Sequence, residues 1–399
     1  MVGAALAGLR AAETLRLEGF DGTLTVIGAE PHLPYDRPPL SKQLLTGQWD
    51  TERTWLRPPG FYPELRLDLM LGAEATALDT AAQTISLAGG ERVPYDGLVI
   101  ATGSCSYLPD GWQREGVCEL RTLDDALTLR GRFAAKPRLV VAGGGFIGCE
   151  VAAAARYSGI DVTVVEMMPA PLHGVLGPQL GSAIARMHRD EGVSLRFGVG
   201  VAALEGSGRV ERVRLSDGTA IDADLVVVGI GARPATGWLA GSGLRVRDGI
   251  VCDSRCAAVS DAAVGNVVAA GDVACWFNYR YGQHMRVEHW TNASEQGIAA
   301  ARRLLHGETA APYQPVPYFW SDQYGLKLQV AGQPSAGSEV VIAHGSLHDR
   351  RFVALYGSDG KLTAVVTGNW PRHFVQYRRL LMQQATWEAA LRLMEGARA

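Results

Sequence analysis

Two cationic side chains, Arg37 and Lys42, stand on a stiff stretch of backbone, the segment LPYDRPPLSK at positions 33–42. Each of its prolines fixes its own φ and restricts the residue before it. The segment follows the apolar run TLTVIG, which predicts a strand. A cation held in one place can stabilise a developing negative charge without reorganisation. The alternative is a solvent-exposed loop that carries two unrelated charges.

A glycine-rich turn further along the chain predicts a phosphate-binding site. The segment RLVVAGGGFIGCEVAAAARYSGIDVTVVE reads as strand, glycine turn, helix and second strand, and it ends at Glu166. Gly143, Gly145 and Gly148 form the pattern G-x-G-x-x-G. In this pattern the first glycine makes a tight turn, the second lets backbone approach a pyrophosphate, and the third lets helix pack on strand. The phosphate then lies at the helix N-terminus.

Glu166 indicates which dinucleotide this unit binds. A carboxylate at the end of the second strand accepts hydrogen bonds from a ribose 2′-hydroxyl and repels a 2′-phosphate. The next residues, Met167, Met168 and Pro169, include no arginine to receive such a phosphate. The sequence therefore favours NADH over NADPH.

A second, altered glycine turn opens the chain. GAALAG keeps Gly3 and Gly8 but has Ala5 at the middle position. The methyl group of Ala5 reduces how closely the backbone can approach a pyrophosphate. Only Met1 and Val2 precede this turn, where a strand of about five residues is expected. Either the chain begins further upstream, or the central strand of this sheet is a stub.

A long-range similarity supports the altered turn. The segments LAGGERVPYDGLVIATG (87–103) and LSDGTAIDADLVVVGIG (215–231) share a polar strand end, a glycine turn, an acid and an apolar run that ends in glycine. Each segment lies downstream of one glycine turn, so the same βαβ unit with a hairpin is present twice. Two such units imply two dinucleotides. One is predicted to be NADH, and the other FAD, because a bound flavin can accept what NADH gives.

The segment GNVVAAGDVA (265–274) predicts a further strand that ends at Gly271 and Asp272. A carboxylate at the end of such a strand can bond the sugar or ribityl hydroxyls of a dinucleotide. The alternative is an ordinary helix N-cap.

Composition limits the remaining classes of protein. The chain has 399 residues, of which 47% are hydrophobic and 20% charged, and its net charge is −3. This length allows two or three domains, and the charge predicts no nucleic-acid partner. Neither a signal peptide nor an apolar stretch near the ~18 residues of a membrane span is visible, so a cytoplasmic protein without a membrane partner is predicted. The six cysteines are scattered without a C-x-x-C motif, which predicts buried thiols and no metal site.

Taken together, these motifs resemble a known family. GAALAG, LPYDRPPLSK, LVIATG, LRTLDDA, AGGGFIGCE, TVVE, GIGARP, AAGDVA, EHWTNASEQ and YFWSDQYG occur in the order found in FAD-dependent ferredoxin reductases. These enzymes, of the putidaredoxin-reductase type, serve bacterial haem monooxygenases and ring-hydroxylating dioxygenases. The resemblance implies an α/β fold like that of glutathione reductase, with two Rossmann-like domains in three layers. The FAD domain would comprise 1–112 and 237–312, the inserted NAD domain 113–236, and a C-terminal α+β interface domain 313–399.

The resemblance also implies roles for individual residues. Lys42 would lie beside the hydride-accepting nitrogen of the flavin, and Glu150 would pair with it near the nicotinamide; these are the candidate catalytic residues. The implied FAD contacts are Gly3, Ala7, Gly8, Glu30, Arg37, Lys42, Ala75, Ala101, Thr102, Arg121, Gly271, Asp272, Trp290 and Trp320. The implied NAD contacts are Gly143, Gly145, Phe146, Ile147, Gly148, Glu150, Glu166 and Gly231.

The resemblance implies a chemical role for the two rigidly held cations, Arg37 and Lys42. A flavin that takes up a hydride acquires negative charge, which a fixed cation stabilises. Relatives that reduce disulfides carry a cysteine pair in the helix near the flavin. At the matching place this chain has LSKQLL, without cysteine, so disulfide reduction is excluded.

The C-terminal region changes character. YFWSDQYGLKLQVAG and RFVALYGSDGKLTAVV predict strands, the latter pair joined by the hairpin signal SDGK, and FVQYRRLLMQQATWEAALRLM predicts a helix. Arg372, His373, Arg378 and Arg379 cluster at the start of that helix. With Arg57 these arginines could dock an acidic iron–sulfur ferredoxin. The alternative is a solvated face without a partner.

The leading hypothesis is a ferredoxin reductase that takes a hydride from NADH to FAD and passes single electrons to a ferredoxin serving an oxygenase. A ferredoxin-independent NADH oxidase or quinone reductase is a second hypothesis. A third is a slow, NADH-responsive flavoprotein of the apoptosis-inducing-factor type. A structural protein without a cofactor is the fourth.

Overall fold

A computed structural model describes residues 1–260 and 266–396 of the chain. Gly265, the first residue of the GNVVAAGDVA motif, lies outside the described residues. The chain divides into two compact units. The first comprises Met1–Asp36, Thr51–Cys105 and Ala232–Pro317, and the second Arg37–Asp50, Ser106–Gly231 and Tyr318–Ala399. These units group residues by compactness, and the domain limits given above stay a prediction.

The described residues form eight α-helices. In chain order they are α1 Leu6–Leu17, α2 Phe61–Glu64, α3 Leu123–Phe133, α4 Phe146–Tyr157, α5 His173–Asp190, α6 Trp290–His306, α7 Pro371–Met382 and α8 Trp387–Gly396. None of these helices has the length and hydropathy needed to cross a bilayer.

Strands in the described residues number 26. They are β1 Leu24–Gly28, β2 Leu67–Leu71, β3 Ala75–Asp79, β4 Thr84–Leu87, β5 Arg92–Pro94, β6 Leu98–Ile100, β7 Ser104–Ser106, β8 Val117–Cys118, β9 Leu139–Ala142, β10 Val162–Glu166, β11 Ser194–Phe197, β12 Val201–Glu205, β13 Arg212–Leu215, β14 Ala220–Asp222, β15 Leu225–Val228, β16 Ala232–Pro234, β17 Val246–Arg247, β18 Gly249–Cys252, β19 Val267–Ala269, β20 Ala274–Asn278, β21 Gln283–Met285, β22 Tyr318–Gln323, β23 Leu326–Gly332, β24 Glu339–Ser346, β25 Arg351–Ser358 and β26 Lys361–Gly368.

The first unit contains parallel strand pairs that lie on either side of Met1 and Val2. β1 pairs in parallel with β2, and β6 pairs in parallel with β19. Val2 forms parallel bridges to Ile27 and to Ile100. Met1 and Val2 therefore occupy the central place between β1 and β6. The helices α1 and α6 pack closely together, since a Cβ at Gly297 would lie 2.4 Å from the carbonyl oxygen of Ala7.

The second unit contains a five-stranded parallel sheet in the order β11-β10-β9-β15-β8. The residues of β9 and of β15 are buried throughout, as expected for strands covered on both faces. Leu129, Phe133, Val151 and Ala155, from α3 and α4, belong to the buried core that these strands share. This is the arrangement that the glycine turn and the terminal acid predict.

The two similar sequence segments form matching hairpins. β3, β4 and β5 make one antiparallel three-stranded sheet, and β12, β13 and β14 make another. Each hairpin leads into a parallel strand of its own unit, β6 in the first and β15 in the second. The predicted duplication and the α/β class are therefore confirmed.

The C-terminal part of the second unit is an antiparallel sheet in the order β22-β23-β26-β25-β24. The SDGK hairpin is confirmed, because Asp359 and Gly360 join β25 to β26 with φ of 52° and 69°. The single predicted C-terminal helix is wrong, because two helices, α7 and α8, stand there. Gln384 breaks the helix with a φ of 54°, and the Thr386 hydroxyl accepts the Ala389 amide at the start of α8.

Candidate functional site

The first glycine turn leaves no room for side chains at its two glycines. A Cβ at Gly3 would lie 2.1 Å from the carbonyl oxygen of Ala101, and one at Gly8 would lie 2.0 Å from that of Gly3. A Cβ at Gly271 would lie 3.2 Å from the Ala7 side chain. Five of the predicted FAD contacts therefore gather at the start of α1: Gly3, Ala7, Gly8, Ala101 and Gly271.

Ala5, the departure from the glycine pattern, strains nothing in the backbone. It is the N-cap of α1 with φ −120° and ψ −163°, an extended conformation open to any residue. Gly145 has the matching place in the second turn, with φ −73° and ψ −176°. The backbone is extended in both turns, and Ala5 adds only one methyl group.

The two helices that follow the glycine turns begin without side-chain caps. Their N-cap residues, Ala5 and Gly145, have no polar side chain that could cap the helix. In contrast, α3 begins with a capping box between Thr122 and Asp125. The first amides of a helix lack partners within the helix and carry partial positive charge. The starts of α1 and α4 therefore suit an anion such as a pyrophosphate.

The second glycine turn has tight and open positions where the pattern requires them. A Cβ at Gly143 would lie 2.3 Å from the carbonyl oxygen of Gly229, and one at Gly148 would lie 2.0 Å from that of Gly143. At Gly145 a Cβ would meet no described atom within 4 Å. The backbone at Gly145 is therefore open to a phosphate, and the glycines on either side hold the turn in shape.

Two backbone amides hold the carboxylate of Glu166 beside this turn. Gly144 donates to one oxygen at 2.7 Å, and Met168 donates to the other at 2.8 Å. A Cβ at Gly144 would lie 3.2 Å from the Glu166 side chain. The sequence analysis missed Gly144, although a glycine at a position where the motif tolerates any residue was a usable signal.

Lys42 and Glu150 form a buried ion pair in the second unit. The Lys42 Nζ donates to the Glu150 Oε2 at 2.5 Å, and the two side chains are only 12% and 4% exposed. Lys42 directly follows the short helical turn Pro38–Ser41. The prolines of this turn limit the conformational freedom of the backbone that carries Lys42. Glu150 stands in the second turn of α4, directly after the glycine turn. A charge pair shielded from water interacts more strongly than an exposed one.

Two serine hydroxyls bind the same carboxylate. Ser41 donates to the Glu150 Oε2 at 2.6 Å, and Ser321 donates to the Oε1 at 2.6 Å. Neither serine was identified from the sequence. Both oxygens of Glu150 thus have short hydrogen-bond donors, which fix the side chain in one position.

Hydrogen bonds also position several predicted contacts in the first unit. Tyr35 donates to Glu30 at 2.5 Å, and the Trp290 indole donates to the carboxylate of Asp36 at 2.6 Å. The Ser104 hydroxyl donates to Asp272 at 3.0 Å.

The backbone around the same contacts is fixed as well. The Gly271 amide donates to the buried Gln296 at 2.9 Å, and the Thr102 hydroxyl donates to the Ala235 carbonyl at 2.9 Å. Ala75 stands at the start of β3 and packs against the hydrophobic core that also contains Val2, Ala7 and Ala101.

The remaining predicted contacts belong to the second unit. Arg37 donates to the Arg121 carbonyl. Gly231 has a φ of 120° and accepts the Tyr107 amide at 3.0 Å. Ile147 is 45% exposed, beside Phe146, whose ring packs edge-on against Phe319 with centroids 4.7 Å apart.

Trp320 lies in an aromatic stack capped by an arginine. Its ring stacks on Tyr318 with centroids 6.1 Å apart, and the Arg378 guanidinium lies 5.2 Å from the Tyr318 ring centroid. Arg372 and Arg379 are exposed on α7. Arg57 belongs to the first unit, where it pairs with Glu13 at 2.9 Å.

All six cysteines are free thiols, and five are buried as predicted, but the prediction is wrong for Cys105, which is exposed. Burial raises the pKa of Cys149, Cys252 and Cys256, which keeps these thiols protonated and unreactive. Among residues 1–260 and 266–396, no cluster of histidine, cysteine and acidic side chains is placed to hold a metal ion.

These observations fit two dinucleotides. The start of α1 would hold one pyrophosphate and the start of α4 the other, because both combine tight glycines with uncapped amides. Glu30 lies two residues after β1, and Glu166 is the last residue of β10. Each would meet the ribose of one dinucleotide.

Comparison with known proteins agrees with this fit. Residues 1–297 match the family model described as pyridine nucleotide-disulphide oxidoreductase, and residues 318–395 match the model described as reductase C-terminal. The ferredoxin reductase component of chlorobenzene dioxygenase from Cupriavidus sp. (strain PS12) is 38% identical, over 98% of this chain and 93% of its own.

A second relative and a solved structure extend the likeness. The ferredoxin–NAD(+) reductase subunit of the benzene 1,2-dioxygenase system from Pseudomonas putida is 36% identical, over 97% of this chain and 93% of its own. The covalent putidaredoxin reductase–putidaredoxin complex matches with a TM-score of 0.91 and 32% identity, over 99% of this chain and 97% of that one. The predicted glutathione-reductase-like fold is therefore confirmed, and its C-terminal region matches the reductase C-terminal family model.

Proposed function

The chain belongs to the pyridine nucleotide-disulphide oxidoreductase family, as an FAD-dependent oxidoreductase with a reductase C-terminal domain, and from this we propose that it is an NADH:ferredoxin reductase of an oxygenase system. Bound FAD would supply the chemistry, accepting a hydride from NADH and releasing electrons singly to an iron–sulfur ferredoxin. The observation that carries the proposal is the buried ion pair of Lys42 and Glu150. Lys42 lies in LSKQLL, the segment that corresponds to the cysteine-bearing helix of the disulfide reductases in the family.

The residues of the first unit would bind and orient FAD. The uncapped start of α1 would receive the pyrophosphate, and Glu30 and Asp272 would bond hydroxyl groups. Tyr35 and Ser104 hold these two carboxylates, so their oxygens are in place before the cofactor binds. Preorganised acceptors of this kind need little rearrangement on binding.

Lys42 would stabilise the negative charge that develops when a hydride arrives. Its ammonium is held by Glu150 and by the Pro38 carbonyl at 3.2 Å, so it has little freedom to move. A fixed cation contributes most where water is excluded. Without a cysteine pair the site offers no dithiol for disulfide exchange, and electrons must leave by another route.

Glu166 supports a preference for NADH over NADPH. Its carboxylate is fixed by the amides of Gly144 and Met168, and a 2′-phosphate placed there would meet a negative charge. We expect Glu166→Gln to narrow the NADH preference by about tenfold, mainly by improving NADPH, because one charge repulsion is removed.

The measurement is kcat/KM for each nucleotide with ferricyanide as the acceptor. Glu205→Gln, on the β12–β14 hairpin, is the control and should leave the ratio unchanged. A Glu166→Gln enzyme that keeps the wild-type ratio would contradict the assignment.

Helix α7 offers a surface for the ferredoxin. Arg372, Val375, Arg379 and Met382 follow helical spacing on its outer face, and Val375 and Met382 are 60% and 57% exposed. Apolar side chains between cations suit a partner with an acidic rim. The Trp320–Tyr318 stack lies behind this helix, since Tyr318 packs on Phe374 of α7 with centroids 5.4 Å apart.

Charge reversal on α7 should weaken ferredoxin turnover selectively. We expect the double variant Arg372→Glu, Arg379→Glu to raise the KM for ferredoxin about tenfold at low ionic strength, with a smaller effect at high salt. Reduction of ferricyanide by NADH should not change. Arg209→Glu on an exposed hairpin is the matched control. Equal KM values for the variant and the wild type at low salt would exclude α7 as the docking surface.

The function itself is tested by reduction of cytochrome c. Purified protein with NADH should reduce cytochrome c rapidly only when a bacterial [2Fe–2S] ferredoxin is added. Turnover that is equally fast without ferredoxin, with dioxygen or a small quinone as the acceptor, would favour an oxidase instead.

A further inference from the structure

The ion pair of Lys42 and Glu150 is the end of a longer chain of buried polar side chains. The Ser321 hydroxyl joins the Glu150 Oε1 at 2.6 Å, and Gln323 joins Ser321 at 3.0 Å. The His188 Nε2 joins Gln323 at 3.0 Å, and the Tyr324 hydroxyl joins the His188 Nδ1 at 3.2 Å. All of these residues belong to the second unit.

The four central members of this hydrogen-bonded chain are buried. Relative exposures are 4% for Glu150, 0% for Ser321, 3% for Gln323 and 1% for His188. A buried polar group without a hydrogen-bond partner is destabilising, so each member depends on the next. Such networks are stable when every member is satisfied.

The direction of every hydrogen bond follows from Glu150. The carboxylate, paired with Lys42, can only accept, so the Ser321 hydroxyl must donate its single proton to it. Ser321 must then accept from the amide nitrogen of Gln323. This places the Gln323 carbonyl oxygen towards His188, whose Nε2 must donate to it.

His188 is therefore held in one tautomer. Burial lowers the pKa of His188 to about 4, so the ring is neutral near pH 7 and carries one N–H. That proton stands on Nε2, and Nδ1 accepts from the Tyr324 hydroxyl. Every donor along the chain consequently points towards Glu150, and aligned bonds of this kind strengthen one another.

The hydrogen-bonded chain from Tyr324 to Glu150 is unsuited to carrying protons. A relay requires each member to take up one proton and release another, and the neutral amide of Gln323 does neither readily at neutral pH. What the chain can do is hold a charge in place. Its donors fix Oε1 of Glu150 from one side, while Ser41 and Lys42 fix Oε2 from the other.

We propose that Ser321, Gln323 and His188 are positioning residues, an oriented chain of donors that holds the Glu150 carboxylate, and through it the Lys42 ammonium, in one geometry. The inference rests on the proposed function, in which Lys42 stabilises charge during flavin reduction. It gives the C-terminal domain a part in hydride transfer as well as in ferredoxin docking, because Ser321 and Gln323 come from β22.

Rapid-mixing measurements on the FAD-loaded protein test the proposal. We expect Ser321→Ala to lower the rate constant for flavin reduction by NADH about tenfold, the effect of one lost hydrogen bond to a charged group. The Kd for NADH should stay within about twofold. Thr367→Val is the control, because the Thr367 hydroxyl is buried without a hydrogen-bond partner among the described residues, and it should leave the rate unchanged.

Two variants of His188 separate positioning from packing. Glutamine can place an amide N–H where His188 has Nε2, so His188→Gln should retain most of the rate, whereas His188→Leu should lose about as much as Ser321→Ala. Thermal unfolding of each variant measures any loss of fold. Equal rates for His188→Leu and His188→Gln at comparable stability would overturn the proposal.

A nuclear magnetic resonance measurement gives an answer independent of turnover. With ¹⁵N-labelled histidine, the ring of His188, assigned by its loss in His188→Gln, should show the Nε2–H tautomer near pH 7. Observation of the Nδ1–H tautomer or of a charged ring would contradict the proposed direction of these hydrogen bonds. Failure of the wild-type protein to oxidise NADH would instead count against the proposed function and leave this tautomer test standing.

Discussion

Lys42→Met is expected to slow the reduction of bound flavin by NADH by about 10²–10³-fold, the usual effect of removing one preorganised group that stabilises developing charge. Methionine keeps much of the length of lysine but has no charge. Because Lys42 is 12% exposed, solvent cannot replace the lost cation. The measurement is the rate constant for loss of flavin absorbance after anaerobic mixing with NADH.

The matched control is Lys327→Met, since Lys327 is exposed on β23, and it should react at the wild-type rate. Glu150→Gln tests the pair from the other side. Either single change leaves a buried charge without its partner, which costs about 3 kcal/mol of stability. The double variant should be more stable than the sum of the single losses predicts. A Lys42→Met enzyme with an unchanged rate would show that Lys42 does not act on the transfer.

Gly148→Ala is expected to destabilise the second unit severely, by about 3 kcal/mol or more, because its Cβ would stand 2.0 Å from the carbonyl oxygen of Gly143. An alanine Cβ has no rotamer to change and the carbonyl belongs to the backbone, so the clash can be relieved only by moving the backbone. The measurement is the free energy of unfolding from denaturant titration.

Gly145→Ala provides the contrast within the same turn. Its Cβ would meet no described atom within 4 Å, and Ala5 already shows the first turn accepting alanine at the matching place. We expect Gly145→Ala to fold with near wild-type stability and to bind NADH about tenfold more weakly, because the methyl group occupies the side from which a phosphate approaches. Comparable stability of the Gly148→Ala and wild-type proteins would refute the packing argument.

Most of the fold could be predicted because its signals are local. The glycine turns, the apolar strands after them and the terminal acid at Glu166 follow one another within short stretches, and each element has its own physical cause. The C-terminal helix failed as a prediction because the apolar spacing of α7 continues into α8. The break at Gln384 depends on a left-handed backbone conformation, and the sequence has no glycine at this position that would predict it.

The site was predicted in part. Lys42, Glu150 and their pairing were implied by the family resemblance, and the structure brings the two side chains into contact. Ser321 was missed because 171 positions separate it from Glu150, and no motif spacing connects residues that meet only through tertiary folding. One signal was available. Phe319, Ser321 and Gln323 alternate along β22 and therefore share one face of the strand. Polar residues on a face that packs against the core indicate a buried hydrogen-bond network.

The most direct test is the stoichiometry of electron transfer under anaerobic conditions. A limiting amount of NADH is added to catalytic protein and excess oxidised [2Fe–2S] ferredoxin, and reduced ferredoxin is counted by absorbance. Since a hydride carries two electrons and the cluster takes one, the expected result is two ferredoxins reduced per NADH. NADH that is consumed without ferredoxin reduction, or that is not consumed at all, would contradict an NADH:ferredoxin reductase.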